Sequence, residues 1–149
     1  MPAEPELIRA TLDHLDQLVP LFVGYRQFYK QPADPEAGRQ FLAERLDNDE
    51  SVIFLALIDG QPAGFTQLYP SFSSVSLRRL WILNDLFVAP AARGRGVGAA
   101  LLTRARTWAE ETWARGLVLE TAVDNPAQHL YESMGWRRDE AALHYALDL

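Results

Sequence analysis

The chain contains no cysteine. Disulfides, thiolate metal sites and a cysteine nucleophile are therefore excluded. No apolar run reaches the roughly 18–20 residues that span a bilayer. The N-terminal "MPAEPELIRA" has neither the basic flank nor the apolar centre of a signal peptide. A cytoplasmic protein with no membrane partner is expected. No tract is rich in lysine or arginine, and the formal net charge is −6. Nucleic-acid binding depends on phosphate neutralisation, so that partner is not expected either. His14, His129 and His144 are scattered, and no two have metal-ligand spacing. No metal is assigned.

What is present is ordinary: 149 residues, 48% apolar and 23% charged. Such a chain can bury a core without staples. It has no internal repeat, low-complexity tract or linker, so residues 1–149 read as one domain.

"ELIRAT" alternates apolar and polar residues and predicts a first strand. Thr11 or Asp13 can cap a helix through Leu15, Leu18, Val19, Phe22 and Val23. "QPADPE" breaks that helix, and "EAGRQFLAERLDND" predicts a second. "SVIFLALIDG" and "QPAGFTQLYPSF" flank an Asp59-Gly60 turn and predict a β-hairpin. "SSVSLRRL" reads as a loop before the apolar strand "RLWILNDLFVAP". From Gly98 to Arg115 apolar residues recur at helical spacing, with Gly116 as the stop. Trp108 and Trp113 read there as packing residues, with an interface role as the alternative for Trp113. "LVLETAV" predicts a central strand. "DNPAQHLYESMGW" predicts a short helix capped by Asp124 or Asn125 and ended by Gly135. "WRRDEAALHYALDL" predicts one or two closing strands. The order β-α-α-β-β-β-α-β-α-β-β makes a mixed α/β domain with a mainly antiparallel front half.

The feature with the clearest chemistry is "VAPAARGRGVGAALLTRA". A strand, a glycine-rich turn and a helix together make an anion-binding device. First-turn N–H groups lack intrahelical acceptors, and the helix dipole favours negative charge there. Gly94, Gly96 and Gly98 let backbone approach a phosphate closely, and Arg93 and Arg95 add attraction. A triphosphate loop is excluded, because Gly98-Ala99-Ala100 supplies neither lysine nor a magnesium-binding hydroxyl. A dinucleotide fingerprint matches formally as Gly94-x-Gly96-x-x-Ala99, with Glu120 in the next strand. Against it, "APAAR" separates strand from turn, and the front half is not a doubly wound sheet.

A third pattern covers more of the chain. Arg93-Gly94-Arg95-Gly96-Val97-Gly98 fits R/Q-x-x-G-x-G/A, preceded by "LNDLFVAP" and followed by an amphipathic helix. Downstream stand Asn125 and then Leu130-Tyr131-x-x-x-Gly135-Trp136. Together these resemble the Gcn5-related N-acetyltransferase (GNAT) superfamily across essentially the whole chain. "YRQFY" and "LYPSFSSVSLRRLWILNDLFV" look like its small diamine- and polyamine-acetylating members. The resemblance implies a strongly twisted, mostly antiparallel sheet flanked by helices, opened between the strand ending near Val88 and the strand from Leu117. It implies acetyl-CoA as donor, a primary amine of a small molecule as acceptor, direct attack in a ternary complex, and a homodimer. The alternatives are acetylation of protein lysines or N-termini, and a non-catalytic acyl-CoA-binding module.

The resemblance also implies roles. The pyrophosphate loop falls on Arg93, Gly94, Arg95, Gly96, Val97, Gly98 and Ala99. The backbone of Leu86, Phe87 and Val88, on a bulged strand, falls where the pantetheine arm pairs and the thioester carbonyl is polarised. Asn125 matches a contact to that arm. Tyr131 matches the donor to the departing sulfur, a role suited to a phenol that is protonated at neutral pH. Asp85 is favoured over Glu120 as base, the alternative being a water chain with no single essential base. Tyr25, Phe28 and Tyr29 are the acceptor-site candidates, since aromatic faces can hold a cationic amine; their i, i+3, i+4 spacing is equally that of a buried helix face.

Overall fold

Residues 3–149 are described by the computed structural model. The first strand, β1 (Glu6–Arg9), is followed by Ala10 and Thr11. Thr11 caps the short 3-10 turn Leu12–His14: its hydroxyl accepts from the Asp13 N–H, and its own N–H donates to His14 Nδ1 at 2.9 Å. Helix α1 (Leu15–Phe28) follows directly. Asp34 then caps α2 (Pro35–Asp47) by accepting from the Ala37 N–H at 3.1 Å, with Pro35 in the first turn. The apolar strand β2 (Val52–Ile58) and β3 (Gln61–Ser73) join through Asp59 and Gly60, both at positive φ (51° and 77°). That is the backbone a tight two-residue hairpin turn requires. Strand β4 (Arg78–Val88) returns antiparallel to β3, and a 3-10 turn at Pro90–Ala92 leads to the glycine turn and α3 (Val97–Glu111). Strand β5 (Leu117–Val118) and helix α4 (Ala127–Ser133) complete the elements.

The sheet order is β1-β2-β3-β4-β5. The first three pairings are antiparallel and the β4–β5 pairing is parallel. A doubly wound sheet, which the dinucleotide reading required, is not formed. Strand β2 is buried throughout because it serves two cores. Ile53, Leu55 and Leu57 pack with Phe65 beneath α1 and α2, while Val52, Phe54 and Ala56 pack with Leu83, Leu101 and Ala105 beneath α3. Among the described residues no helix is long and apolar enough to cross a membrane.

One irregularity sets the rest of the molecule. Gln67 pairs with Asp85, but Leu68 pairs with Leu83, so Asn84 is an extra residue on β4. Before it, Trp81 and Leu83 face the α3 core. Beyond it, Leu86 and Val88 take that face, and Asp85 and Phe87 turn toward α1. Without the bulge, simple alternation would send Asp85 to the α3 side.

Two expectations fail at the C-terminal end. The central strand expected over "LVLETAV" is reduced to Leu117–Val118, which pair with Trp81 and Ile82 before the two strands part. The closing strands expected over "WRRDEAALHYALDL" do not form: residues 137–149 are exposed and carry no strand. Leu143, Tyr145 and Leu147 keep strand-like alternation yet are 82%, 84% and 87% exposed. A strand needs a partner edge, and this segment pairs with none in the protomer. The stop of α3 is also not Gly116. Trp113, at φ 56° and 82% exposed, takes the left-handed position, with the Ala114 N–H bonded to Ala109 O at 2.9 Å. Trp113 is therefore a helix terminator and not a packing residue. Trp108 does pack, edge-on against Phe54 and Trp81.

Candidate active site

The glycine turn is open. Gly94 and Gly96 hold φ of 75° and 79°, and an added Cβ on either would meet nothing within 4 Å. Ala100 is the first α3 residue to donate back, to Gly96 O at 3.0 Å. The N–H groups of Val97, Gly98 and Ala99 therefore have no intrahelical acceptor, and no side chain caps them. Arg93 reaches back to the β4 end, its Nε donating to Val88 O at 3.4 Å, while Arg95 is exposed. Because β5 leaves β4 after Ile82, the β4 edge from Leu83 to Val88 has no strand on that side. Leu86, Phe87 and Val88 thus present a half-buried, unpaired edge that runs toward the turn.

The bulge presents a carboxylate on the other side of the same strand. Asp85 is 1% exposed. Its Oδ2 accepts from Gln67 Nε2 and its Oδ1 from Asn84 Nδ2, each at 2.7 Å. Burial pushes its carboxyl above the usual range, and the hydrogen bonds from Asn84, Gln67 and Tyr25 offset that only in part. A carboxylate held this way is a stronger base than one in water.

Asp85 sits in a cavity of about 500 Å³ walled by Phe22, Tyr25, Tyr29, Phe41 and Tyr69, with Arg26 also lining it. The size is that of a small-molecule site. Helix α1 comes close because Gly24 lies under the Phe87 ring, where a Cβ would sit 2.8 Å from Phe87 Cζ. Tyr25 Oη then reaches Asn84 O at 3.1 Å. Burial, and next the charge of Asp85, raise the phenol pKa values of Tyr25, Tyr29 and Tyr69, so all three stay protonated donors.

Tyr131 on α4 packs against the α3 core beside Trp136, their ring centroids 5.9 Å apart. Burial, with the neighbouring phenol of Tyr29 second, pushes its own pKa up to about 12. The two tyrosines thus bring the α3 side and the cavity side toward each other. Asn125 spends its side-chain oxygen on the Ala127 N–H at 2.9 Å, which opens α4, and keeps its amide N–H groups for other partners.

The candidate residues separate accordingly. Tyr25, Tyr29 and Asp85 share the cavity; Phe28 is 55% exposed and packs on the far side of Tyr29. Glu120 lies on the surface, with its Oε1 3.1 Å from His144 Nδ1. Sequence reasoning passed over Gln67, Asn84, Tyr69, Phe41 and Arg26. Phe22 and Arg26 could have been found from α1 itself, since Phe22, Tyr25, Arg26 and Tyr29 form one helical stripe. Gln67 and Tyr69 leave no such trace, because only the bulge turns Asp85 toward them.

The profile of the "Acetyltransferase (GNAT) family" matches residues 15–136. The chain belongs to the GNAT acetyltransferase family. It is similar to the uncharacterized N-acetyltransferase YhfO of Bacillus subtilis (strain 168), 47% identical over 89% of this chain and 89% of that protein. A solved structure of a probable acetyltransferase superposes with a TM-score of 0.92 at 50% identity, covering 97% of both chains. An aminoglycoside N-acetyltransferase solved in complex with CoA shares the fold, with a TM-score of 0.82 at 20% identity over 100% of this chain and 98% of that one. The protein is an N-acetyltransferase, and its sheet is that of a GNAT fold.

Proposed function

We propose that this acetyltransferase moves an acetyl group from acetyl-CoA to a primary amine of a small molecule, by direct attack in a ternary complex. The observation that carries the reading is a meeting at β4. One edge of the strand is unpaired and runs to an open glycine turn, and the opposite face presents Asp85 in an aromatic-walled cavity. The donor fits the first. Backbone N–H groups from Arg93 to Ala99 would hold its pyrophosphate, the Leu86–Val88 edge and Asn125 its pantetheine arm. Bound there, it supplies an activated acyl group.

The residues supply the proton chemistry. Asp85, directly or through water, takes a proton from the incoming ammonium, so that nitrogen has a free lone pair. The amine nitrogen forms a bond to the acyl carbon as the carbon–sulfur bond breaks. Tyr131 gives a proton to the sulfur, and the proton shed by nitrogen replaces it through Asp85 and solvent. The aromatic walls offer π-faces to a compact cation, which favours a small amine over a peptide. An intact, protonated Tyr131 speaks for catalysis over acyl-CoA binding alone.

The same reading takes residues 1–149 as a single cytoplasmic acetyltransferase domain, of which Met1 and Pro2 lie outside the described residues. It takes the protein as a homodimer in which the exposed Leu143, Tyr145 and Leu147 find a strand partner on a second copy. The catalytic test is free-thiol release from acetyl-CoA across primary amines and lysine peptides. Turnover is expected with small amines and not with peptides. Turnover with peptides alone, or with neither, overturns the assignment. Sedimentation tests the dimer: the chain should be dimeric, and Leu143→Asp with Leu147→Asp should leave a monomer.

A further inference from the structure

The cavity beside Asp85 holds a second charge with no use in the chemistry above. Its ionisable lining residues, tyrosines aside, are Asp85 and Arg26. The two do not meet. Asp85 is bonded by Gln67 and Asn84, and Arg26 makes no ion pair among the described residues. Several other basic residues also lack an ion pair, but Arg26 is the one that lines this cavity. Arg39, Arg45, Arg104, Arg106 and Arg138 all have carboxylate partners. Arg26 is half-buried on the cavity stripe of α1, between Tyr25 and Tyr29. Arg45, which acts on Tyr69, is bound to Glu44 and Glu50.

We infer that Arg26 selects an acceptor that carries a carboxylate as well as its primary amine, the ammonium going to Asp85 and the carboxylate to the guanidinium. This rests on the acetyltransferase reading of the same cavity and narrows it. A guanidinium presents two parallel N–H donors that match a carboxylate. One cation balances one negative charge, so a dianionic phosphate is left under-compensated. A diamine or polyamine would set its second ammonium against Arg26, and like charges in a confined site repel. Such an acceptor therefore differs from the polycations that "YRQFY" and its neighbours suggested.

The test uses ω-amino acids from glycine to 6-aminohexanoate, each beside its carboxamide and the diamine of equal length. Thiol release from acetyl-CoA gives kcat/KM. For at least one chain length the carboxylate should exceed the amide by about tenfold and the diamine by more, mainly through KM. Arg26→Gln should erase that ratio, and Arg26→Lys should restore part of it. A carboxylate-to-amide ratio near one, or a ratio unchanged in Arg26→Gln, overturns the inference and leaves N-acetylation of amines standing. If no member turns over, thermal shift still reads the site. Stabilisation by the best ω-amino acid but not by its amide, lost in Arg26→Gln, supports the inference; equal shifts overturn it.

Discussion

The glycine turn before α3 and the aromatic cavity beside α1 lie on either side of β4, yet they are made of different things. The turn is a backbone device. Its donors are N–H groups, its shape comes from Gly94 and Gly96 at positive φ, and the space beside those two glycines is open. The cavity is a side-chain device, assembled from α1, α2, β3 and β4 around one buried carboxylate. A backbone device keeps its meaning under most substitutions outside its glycines. A side-chain device changes its ligand with each residue that lines it. The two halves can thus be disturbed separately.

The largest separation is expected from Asp85→Asn. Its kcat should fall about 10²–10⁴-fold, with the KM for acetyl-CoA little changed. The wild-type rate should rise with pH through the raised Asp85 pKa, and the variant should lose that limb. Stability should move the other way. A carboxyl whose folded pKa lies above its unfolded value contributes stability below the unfolded pKa, and that contribution is lost as pH rises through the folded pKa. Asp85→Asn should therefore gain thermal stability over wild type at pH 7.5 and little at pH 4. An equal gain at both would break the argument.

Tyr131→Phe comes next, with kcat lowered about 10- to 100-fold and acetyl-CoA affinity kept, read by steady-state kinetics and CoA binding. Since Tyr131 titrates only near 12, no part of a neutral-range pH profile should trace to it. Gly96→Val probes the backbone device. Nothing crowds the site, so the change acts through φ alone, costing about 1–2 kcal/mol and weakening CoA binding about tenfold. Acceptor KM should stay put; if it moves as far as that for CoA, the two halves are not separable. Smallest is Trp113→Gly, which frees a left-handed residue far from both halves. A gain of about 1 kcal/mol in urea unfolding with unchanged kinetics is expected.

The same contrast decides what could be read from the chain. The glycine turn and the hairpin at Asp59-Gly60 are local: a few adjacent residues specify each, and each stands where its pattern placed it. Asp85 was singled out, but its surroundings were not legible. Gln67 and Tyr69 reach it only through the β3–β4 register, and Asn84 carries no mark of being the extra residue. The misplaced stop of α3 has a similar cause. Gly116 matched the usual preference, but the tertiary run into β5 put the left-handed residue at Trp113. The missing closing strands show the limit of alternation, which states that a segment wants a sheet and not whose sheet it is.

The bulge at Asn84 makes β4 behave like a reading frame. An insertion or deletion in the turn 74–77 only lengthens or shortens a surface connection. Closing the bulge with every residue kept, so that Asn84 joins the ladder opposite Gln67, would shift everything after it by a step, swapping Asp85 and Phe87 with Leu86 and Val88 between two cores. A buried carboxylate would then face the apolar packing of α3, and the cavity beside α1 would receive a leucine. Homologous chains can therefore drift in length before β4, but any that keep this chemistry must keep the frame.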